Sequence, residues 1–144
     1  MSNNSFQLLH ISDLHITEGK NQDNGGNFDL SLVLDPLISR VERDLNEGIK
    51  PELVIVTGDI AYRCLKTEYS LAKEFFDRLL NSLELDSTSL FLVPGNHDVN
   101  RTKCRPSGNP NFQNIRALNE ELENNDFRKD LLQGMADYFR FVKE

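Results

Sequence analysis

The sequence of 144 residues predicts an α/β fold built on a parallel sheet. Three short apolar runs, at residues 6–11, 53–57 and 90–93, have the length and the Val, Ile, Leu and Phe content of buried parallel strands. Segments with apolar residues at helical spacing separate these runs, which gives the order β-α-β-α-β. Because a crossover helix joins consecutive parallel strands, we expect one sheet with helices packed on it.

The first helix is predicted from apolar residues that recur at helical spacing between residues 34 and 45. Asp35 and Pro36 suit an N-cap and a first turn, since proline tolerates only the start of a helix. A start near Asp29 would place Pro36 inside the helix and is the less favoured alternative. Gly48 is the expected C-terminal stop.

Further helices are predicted on both sides of the third strand. The apolar spacing over residues 71–83 indicates a second helix, with Thr67 as the expected N-cap. Residues 115–122 and 127–142 fit two more helices, and Asp126 is the expected N-cap of the last. The chain therefore ends in a helical segment.

Composition and charge narrow the class of protein. A net charge of −7 disfavours a uniformly nucleic-acid-binding surface, and no apolar run is long enough to span a membrane. Cys64 and Cys104 are too few for a disulfide framework, so we expect reduced thiols and a cytoplasmic protein. Residues 99–119 contain no acidic residue but several basic ones, including Arg101. A solvated loop and a phosphate-facing loop both explain this basic stretch.

Polar side chains follow each predicted strand at its carboxyl end, where ligands bind in open parallel sheets. Asp13 and His15 follow the first strand, Asp59 follows the second, and Asn96 and His97 follow the third. Carboxylate, imidazole and amide oxygen donors suit Mn²⁺, Fe or Zn²⁺ better than Ca²⁺. Carboxylates that converge without a cation would repel one another, so this edge of the sheet predicts a metal site.

The spacing within each motif has a mechanical reason. In Asp-x-His, one intervening residue lets both side chains face one ion, because side chains alternate along a strand. In Gly-Asp, the glycine permits a tight exit and Asp59 is placed to bridge two ions. In Gly-Asn-His-Asp, Asn96 offers its amide oxygen to a metal and His97 points toward substrate as a proton donor. Asp98 is expected to hold the turn or orient a neighbour.

Three sequence blocks together resemble the calcineurin-like metallophosphoesterases: LLHISDLHI, VIVTGDIAY and FLVPGNHDV. Each block follows an apolar strand, and the resemblance covers about residues 6–101. It implies part of a four-layer α-β-β-α sandwich. Residues 1–108 would be the N-terminal half of that domain, and residues 109–144 a helical segment of the same domain or a cap.

The resemblance implies a metal-dependent phosphoester hydrolase with two divalent ions, Mn²⁺ or Fe, with Zn²⁺ also possible. Asp13 and His15 would bind the first ion, Asp59 would bridge both, and Asn96 would bind the second ion and touch the phosphate. His97 would contact substrate and protonate the leaving group or stabilise the transition state. Arg101 is a further candidate for substrate binding, with a solvated arginine as the alternative.

The chain departs from the family pattern in its histidines. The family has further histidines downstream, whereas this sequence has His10, His15 and His97 and none after them. An alternative is therefore a truncated or split half-domain that is not catalytic alone. We expect such a half to self-associate or to bind a partner chain that supplies the missing histidines, because its sheet would expose an apolar face.

Tyr62 narrows the family resemblance. Ser/Thr protein phosphatases of the superfamily have a second aspartate where this chain has Tyr62, so that reading is weakened. A tyrosine at this position is similar to purple acid phosphatases, but those lack the histidine that His15 supplies. Tyr62 is therefore predicted to pack or hydrogen-bond, and the closer resemblance is to bacterial-type phosphodiesterases. The expected substrate is a nucleotide or nucleic-acid diester.

Overall fold

A computed structural model describes residues 6–18, 31–103 and 115–143 of the chain. Its strands and helices follow the predicted order, with a short 3₁₀ turn before the third strand. The strands are β1 (Leu8–Ile11), β2 (Leu53–Thr57) and β3 (Leu90–Val93). The helices are α1 (Ser31–Asn46), α2 (Lys66–Leu83), α3 (Ile115–Glu123), α4 (Asn125–Gly134) and α5 (Ala136–Phe141). The prediction of an α/β fold is confirmed.

The three strands form a parallel sheet in the order β1-β2-β3. Ile11 pairs with Val56, and Val56 pairs with Leu92, so these side chains lie on one face of the sheet. Val56 is fully buried there, in one core cluster with apolar residues from α1 and α2. The helices therefore cover this face. Because the three strands are parallel, their carboxyl ends lie at one edge of the sheet.

The opposite face of the sheet is largely uncovered in the part of the chain that the structure describes. Three of its apolar side chains, Leu8, Phe91 and Val93, are 49%, 54% and 51% exposed. His10 and Ile55 lie between them in register. We call these five residues the open face.

Helix α1 includes Ser31, four residues before Asp35, so the prediction that Asp35 and Pro36 form its start is wrong. Pro36 lies inside the helix, as in the less favoured alternative. The missing N–H would have bonded the carbonyl of Leu32, four residues earlier. Leu32 and Pro36 are both exposed, so water can satisfy that carbonyl at low cost. Gly48 ends the turn after the helix with a φ of 86°, as predicted.

Helix α2 begins at Lys66 with Leu65 as its N-cap, so Thr67 is inside the helix rather than at the cap. The side chain of Leu65 has no acceptor to offer. Instead the buried carboxylate of Glu68 accepts the backbone N–H groups of Leu65, at 3.1 Å, and Arg63, at 2.8 Å. Glu68 is the third residue of the helix, and its carboxylate bonds back to the N-cap as in the second half of a capping box.

The C-terminal segment contains two helices where the spacing predicted one over residues 127–142. The helical conformation is interrupted at Met135, between α4 and α5. Asn124 is the N-cap of α4, not Asp126, because the Asn124 side chain accepts the N–H groups of Asp126 and Phe127. Among the described residues, no helix is both long and apolar enough to cross a membrane.

Helix α5 contacts the sheet and α2 directly. The hydroxyl of Tyr138 donates to the carbonyl of Leu92 in β3 at 3.1 Å, and the Phe141 ring stacks on Tyr69 of α2 with ring centroids 5.0 Å apart. The N–H of Asn100 donates to the carbonyl of Gly134 at the end of α4, at 2.8 Å. These contacts connect the helical segment to the loop that follows β3.

Candidate metal centre

The loops after β1 and β2 run side by side at the carboxyl edge of the sheet. The N–H of His15 donates to the carbonyl of Asp59 at 2.8 Å, and the N–H of Ile16 donates to Ile60 at 2.9 Å. Ile16 and Ala61 form an isolated parallel bridge. The two loops thus extend the parallel pairing past the sheet. This pairing fixes the position of the loop after β1 relative to the loop after β2.

Three of the predicted metal ligands have left-handed backbone conformations. Asp13, His15 and Asp59 have φ values of 57°, 46° and 52°. Such conformations cost energy in residues other than glycine and persist only where surrounding contacts enforce them. The inter-loop hydrogen bonds supply that enforcement, and such strained residues cluster at functional sites.

The loop after β3 holds the Asp59 side chain in place through a backbone hydrogen bond. Its Oδ1 atom accepts the N–H of His97 at 2.9 Å, and its side chain is only 14% exposed. A Cβ on Gly95 would lie 2.1 Å from that same Oδ1 and 2.3 Å from the Asp59 nitrogen. Glycine is therefore required at position 95 for the two loops to approach.

His15, Asp59 and His97 form the tightest group of ligand-capable side chains in the described residues. One ligand atom from each lies within 4.8 Å of the others. His15 Nε2 is 4.0 Å from Asp59 Oδ2 and 3.9 Å from Asp13 Oδ1. Asp13 stands at the rim of this group, with its side chain 66% exposed.

His97 is oriented by Tyr62. Its Nδ1 lies 2.7 Å from the Tyr62 carbonyl oxygen, so Nδ1 carries a proton and donates it there. This leaves Nε2 as the nitrogen available to bind a metal or to transfer a proton. The rings of Tyr62 and His97 stack with centroids 5.4 Å apart, and the His15 ring meets His97 edge-on at 4.7 Å.

A cavity of about 380 Å³ opens beside His97. Asn96 and Arg101 line it, as do Arg63 and the apolar side chains of Leu65 and Val99. Asn96 and Arg101 are exposed, so both predicted substrate contacts lie on a surface that a ligand reaches. The Arg63 guanidinium also lies over the Tyr62 ring at 5.7 Å.

Asp98 is fully buried and ties the loops together. Its Oδ2 accepts the N–H groups of Ile60, at 3.1 Å, and Gly95, at 2.9 Å, while Oδ1 accepts that of Ala61 at 3.0 Å. We call this carboxylate and its three backbone donors the Asp98 clamp. The clamp joins the turn after β3 to the loop after β2, and the supporting role of Asp98 in a reaction stays a prediction.

Sequence reasoning missed Tyr69, whose hydroxyl donates to Asp98 Oδ1 at 2.9 Å. Burial, followed by hydrogen bonding to Cys64 and the charge of Asp98, raises the pKa of Tyr69 far above its ordinary value. Burial likewise raises the pKa of the Cys64 thiol, which donates to the Asp98 carbonyl at 3.0 Å. A tyrosine on the buried stripe of a helix is the one signal that points to such a partner.

The donor set fits a transition metal. Two imidazoles and a shared carboxylate are ligands typical of Mn²⁺, Fe and Zn²⁺. The Nε2 atom of His15 is the one that lies near Asp13 and Asp59, whereas its Nδ1 is buried with no hydrogen-bond partner among the described residues.

Comparison with known proteins gives one family. The profile of the family described as calcineurin-like phosphoesterase matches residues 6–142 of the chain. The chain is also similar to an uncharacterized metallophosphoesterase-like protein, YydB, of Bacillus subtilis (strain 168). The two are 26% identical over 140 residues, which is 96% of this chain and 27% of that relative. The chain thus spans about a quarter of the relative's length.

Proposed function

This chain belongs to the calcineurin-like phosphoesterase family, and from that premise we propose that it carries metal-dependent phosphoester hydrolysis, with a phosphodiester of a nucleotide or nucleic acid as substrate. The observation that carries the proposal is the approach of His15, Asp59 and His97 to within 4.8 Å at the carboxyl edge of the sheet. Ligands bind at this edge in open parallel sheets.

We assign the residues as follows. Asp13 and His15 would hold one divalent ion, Asp59 would contribute to both ions, and Asn96 would hold the second through its amide oxygen. Bound Mn²⁺ or Fe would neutralise phosphoryl charge and activate water. The free thiol of Cys64 supports a reducing, cytoplasmic setting.

His97 moves the proton in this proposal. Because Nδ1 donates to the Tyr62 carbonyl, Nε2 is the atom that protonates the departing oxygen. The hydrogen bond from the His97 backbone to Asp59 keeps this ring next to a carboxylate that would hold metal. A role as a metal ligand uses the same Nε2 atom and is the competing assignment for His97.

The cavity beside His97 supports an organic diester as substrate. Its volume of about 380 Å³ lies within the range of small-molecule sites. Its walls combine apolar side chains with Arg63 and Arg101, which suits a group that carries both a planar ring and negative charge. A nucleoside phosphate has both features.

The test is Mn²⁺-dependent hydrolysis of bis-p-nitrophenyl phosphate, compared with p-nitrophenyl phosphate. Asp59→Asn and His97→Ala should each lower kcat, His97→Ala by about 10²–10⁴-fold as for loss of a general acid. Asp77→Asn and His10→Ala are matched controls, since Asp77 lies on the surface of α2 and His10 lies on the open face. Equal rates in all four variants would contradict the proposal.

Metal content then separates the two roles of His97. If His97 moves a proton, His97→Ala should bind as many Mn²⁺ ions as the unmutated chain while turning over slowly. A lost ion in His97→Ala would instead identify His97 as a ligand. Atomic emission on the dialysed proteins measures this stoichiometry.

A second candidate is a half-site that a partner chain or a second copy completes with further histidines. The exposed apolar open face favours it, because contiguous apolar surface marks an interaction site. This candidate predicts a folded chain that binds Mn²⁺ weakly and shows no turnover alone.

A further inference from the structure

A tyrosine outside the metal centre contacts the residue that holds the centre's loops together. Asp98 is 0% exposed, and its clamp joins the loop after β2 to the loop after β3. The fourth donor to this carboxylate comes from a helix, because the hydroxyl of Tyr69 in α2 lies 2.9 Å from Oδ1.

We propose that Tyr69 is a positioning residue for the metal centre: its hydroxyl fixes the Asp98 carboxylate, which in turn holds Asp59 and His97 at ligand distance from each other. The metal role rests on the proposed function. The positioning itself is a property of the chain without metal and is tested separately.

The geometry of the carboxylate requires a donor at this point. Rotation of an aspartate carboxyl about its last torsion is soft, so the plane of Asp98 is set by its partners. Oδ2 has two backbone donors, whereas Oδ1 has one backbone donor, Ala61, besides Tyr69. Loss of the hydroxyl leaves a buried charged oxygen short of one partner, which favours reorientation of the group.

Reorientation of Asp98 would be transmitted to a strained residue. Asp59 has a left-handed φ of 52° and directly precedes Ile60, whose N–H the clamp holds. His97 lies between Gly95, also held by the clamp, and Asp98 itself. Strained backbone persists only where its surroundings over-determine it, so the clamp is placed to maintain both residues.

Tyr69 is itself held rigidly. Its ring stacks on Phe141 at 5.0 Å with an interplanar angle of 21°, and only 3% of the residue is exposed. The raised pKa of its hydroxyl keeps the proton in place as a donor across the working pH range. The hydroxyl is also 3.5 Å from Cys64 Sγ.

Tyr138 is a matched control in the same aromatic cluster. It is likewise 3% exposed, and its ring meets that of Tyr69 edge-on at 6.3 Å. Its hydroxyl donates to the Leu92 carbonyl at 3.1 Å rather than to Asp98. Tyr69→Phe and Tyr138→Phe therefore each remove one buried hydroxyl and keep the ring, but only the first touches the clamp.

The experiment compares the two variants of the 144-residue chain in two assays. Amide hydrogen exchange without metal should be faster at Ile60, Ala61 and Gly95 in Tyr69→Phe and unchanged there in Tyr138→Phe. Mn²⁺ affinity, measured from the electron paramagnetic resonance signal of the free ion, should weaken about tenfold in Tyr69→Phe alone, as for other outer partners of metal ligands.

Unchanged exchange at the three amides in Tyr69→Phe would overturn the positioning, even if both variants unfold at lower temperature. Faster exchange with unaltered Mn²⁺ affinity would overturn the metal role. If the unmutated chain binds no Mn²⁺, the proposed function fails, and the exchange assay still decides the positioning on its own.

A measurement on the unmutated chain covers the case in which Tyr69→Phe does not fold. The ¹³Cζ resonance of Tyr69 should shift when Zn²⁺, a diamagnetic ion, is added, because Asp98 links the hydroxyl to the centre. The Tyr138 resonance should not shift. The absence of a Tyr69 shift in a chain that binds Zn²⁺ would overturn the proposal.

Discussion

Gly95 shows how closely the loops approach at the level of single residues. A side chain at this position would occupy the space of the Asp59 carboxylate, since the added carbon would lie 2.1 Å from Oδ1. Gly58 faces the same contact from the other loop with a φ of 89°. The Asp59 position thus depends on two glycines that carry no metal-binding side chain themselves.

Gly95→Ala should displace Asp59 and weaken Mn²⁺ binding by tenfold or more, because the clash falls on a ligand and on its backbone. Gly48→Ala is the control. Its added carbon meets nothing within 4 Å, but its φ of 86° is unfavourable for alanine. It should lower the free energy of unfolding by about 1–2 kcal/mol without altering metal affinity.

Calorimetric titration with Mn²⁺ and urea unfolding measure the two effects. If the Gly95→Ala chain keeps its Mn²⁺ affinity, the loop after β3 can shift to make room for the added carbon without displacing Asp59. That result would contradict the prediction.

The sequence was sufficient to bring His15, Asp59 and His97 to one edge, because strand order and chain direction alone determine where strands end. It was not sufficient to identify what holds them. The acceptor for His97 is a backbone carbonyl, that of Tyr62, and backbone groups have no signature in sequence. The partner of Asp98 is Tyr69, 29 residues away on a helix, and pairing at that distance follows from packing.

Glu68 determines how helix α2 begins. Its carboxylate is buried, with 1% of the residue exposed, and accepts two backbone N–H groups from the turn before the helix. Burial raises the pKa of Glu68 above its ordinary value, and the two hydrogen bonds oppose that shift without cancelling it. The helix start is therefore sensitive to pH.

Stability should fall as pH rises from the ordinary value of 4.5 through the raised pKa of Glu68, because the folded chain binds this proton more tightly than the unfolded chain does. Glu68→Gln cannot ionise and should lose this component. Urea unfolding from pH 4 to pH 7 should show the free energy of unfolding of the unmutated chain declining relative to Glu68→Gln.

Glu74→Gln, on the exposed side of the same helix, is the control for removal of one carboxylate. The free energy of unfolding of the unmutated chain minus that of Glu68→Gln should fall as pH rises. A value that stays flat or increases with pH would contradict the predicted direction.

Helix boundaries were predicted less well than the helices themselves. The apolar spacing that indicates a helix is repeated over several turns, whereas a cap depends on one side chain. Thr67 has the right chemistry for a cap, but the helix begins one residue before it, where Glu68 bonds back to the N–H groups of Leu65 and Arg63. Pro36 was expected to mark a start, but a solvent-exposed carbonyl tolerates the missing donor.

At the scale of the whole molecule, the described residues give the sheet one covered side and one open face. Helices α1, α2 and α5 contribute to the core on the covered side. Leu8, Phe91 and Val93 remain about half exposed on the other side. The predicted assignment of residues 1–108 to half of a sandwich, with residues 109–144 as its helical segment or a cap, stays a prediction.

The open face should bind the dye 1-anilinonaphthalene-8-sulfonate under native conditions, since the dye reports exposed apolar surface. Phe91→Lys should reduce dye fluorescence while changing the free energy of unfolding by no more than about 0.5 kcal/mol, because the side chain is mostly in solvent.

Val33→Lys is the matched control, since Val33 is 50% exposed on α1, away from the sheet. Equal loss of fluorescence in both variants would mean that the dye binds elsewhere. A large loss of stability in Phe91→Lys would mean that the open face is packed in the free chain.

The left-handed torsions of Asp13, His15 and Asp59 affect how this centre can be dissected. Alanine tolerates that region poorly, at a cost of about 1–2 kcal/mol per residue, whereas asparagine enters it readily. In an alanine scan, the measured loss of metal affinity would combine the torsional cost with the loss of the metal-binding side chain. Asparagine keeps the torsion accessible, so its effect reports the exchange of a carboxylate or imidazole for an amide.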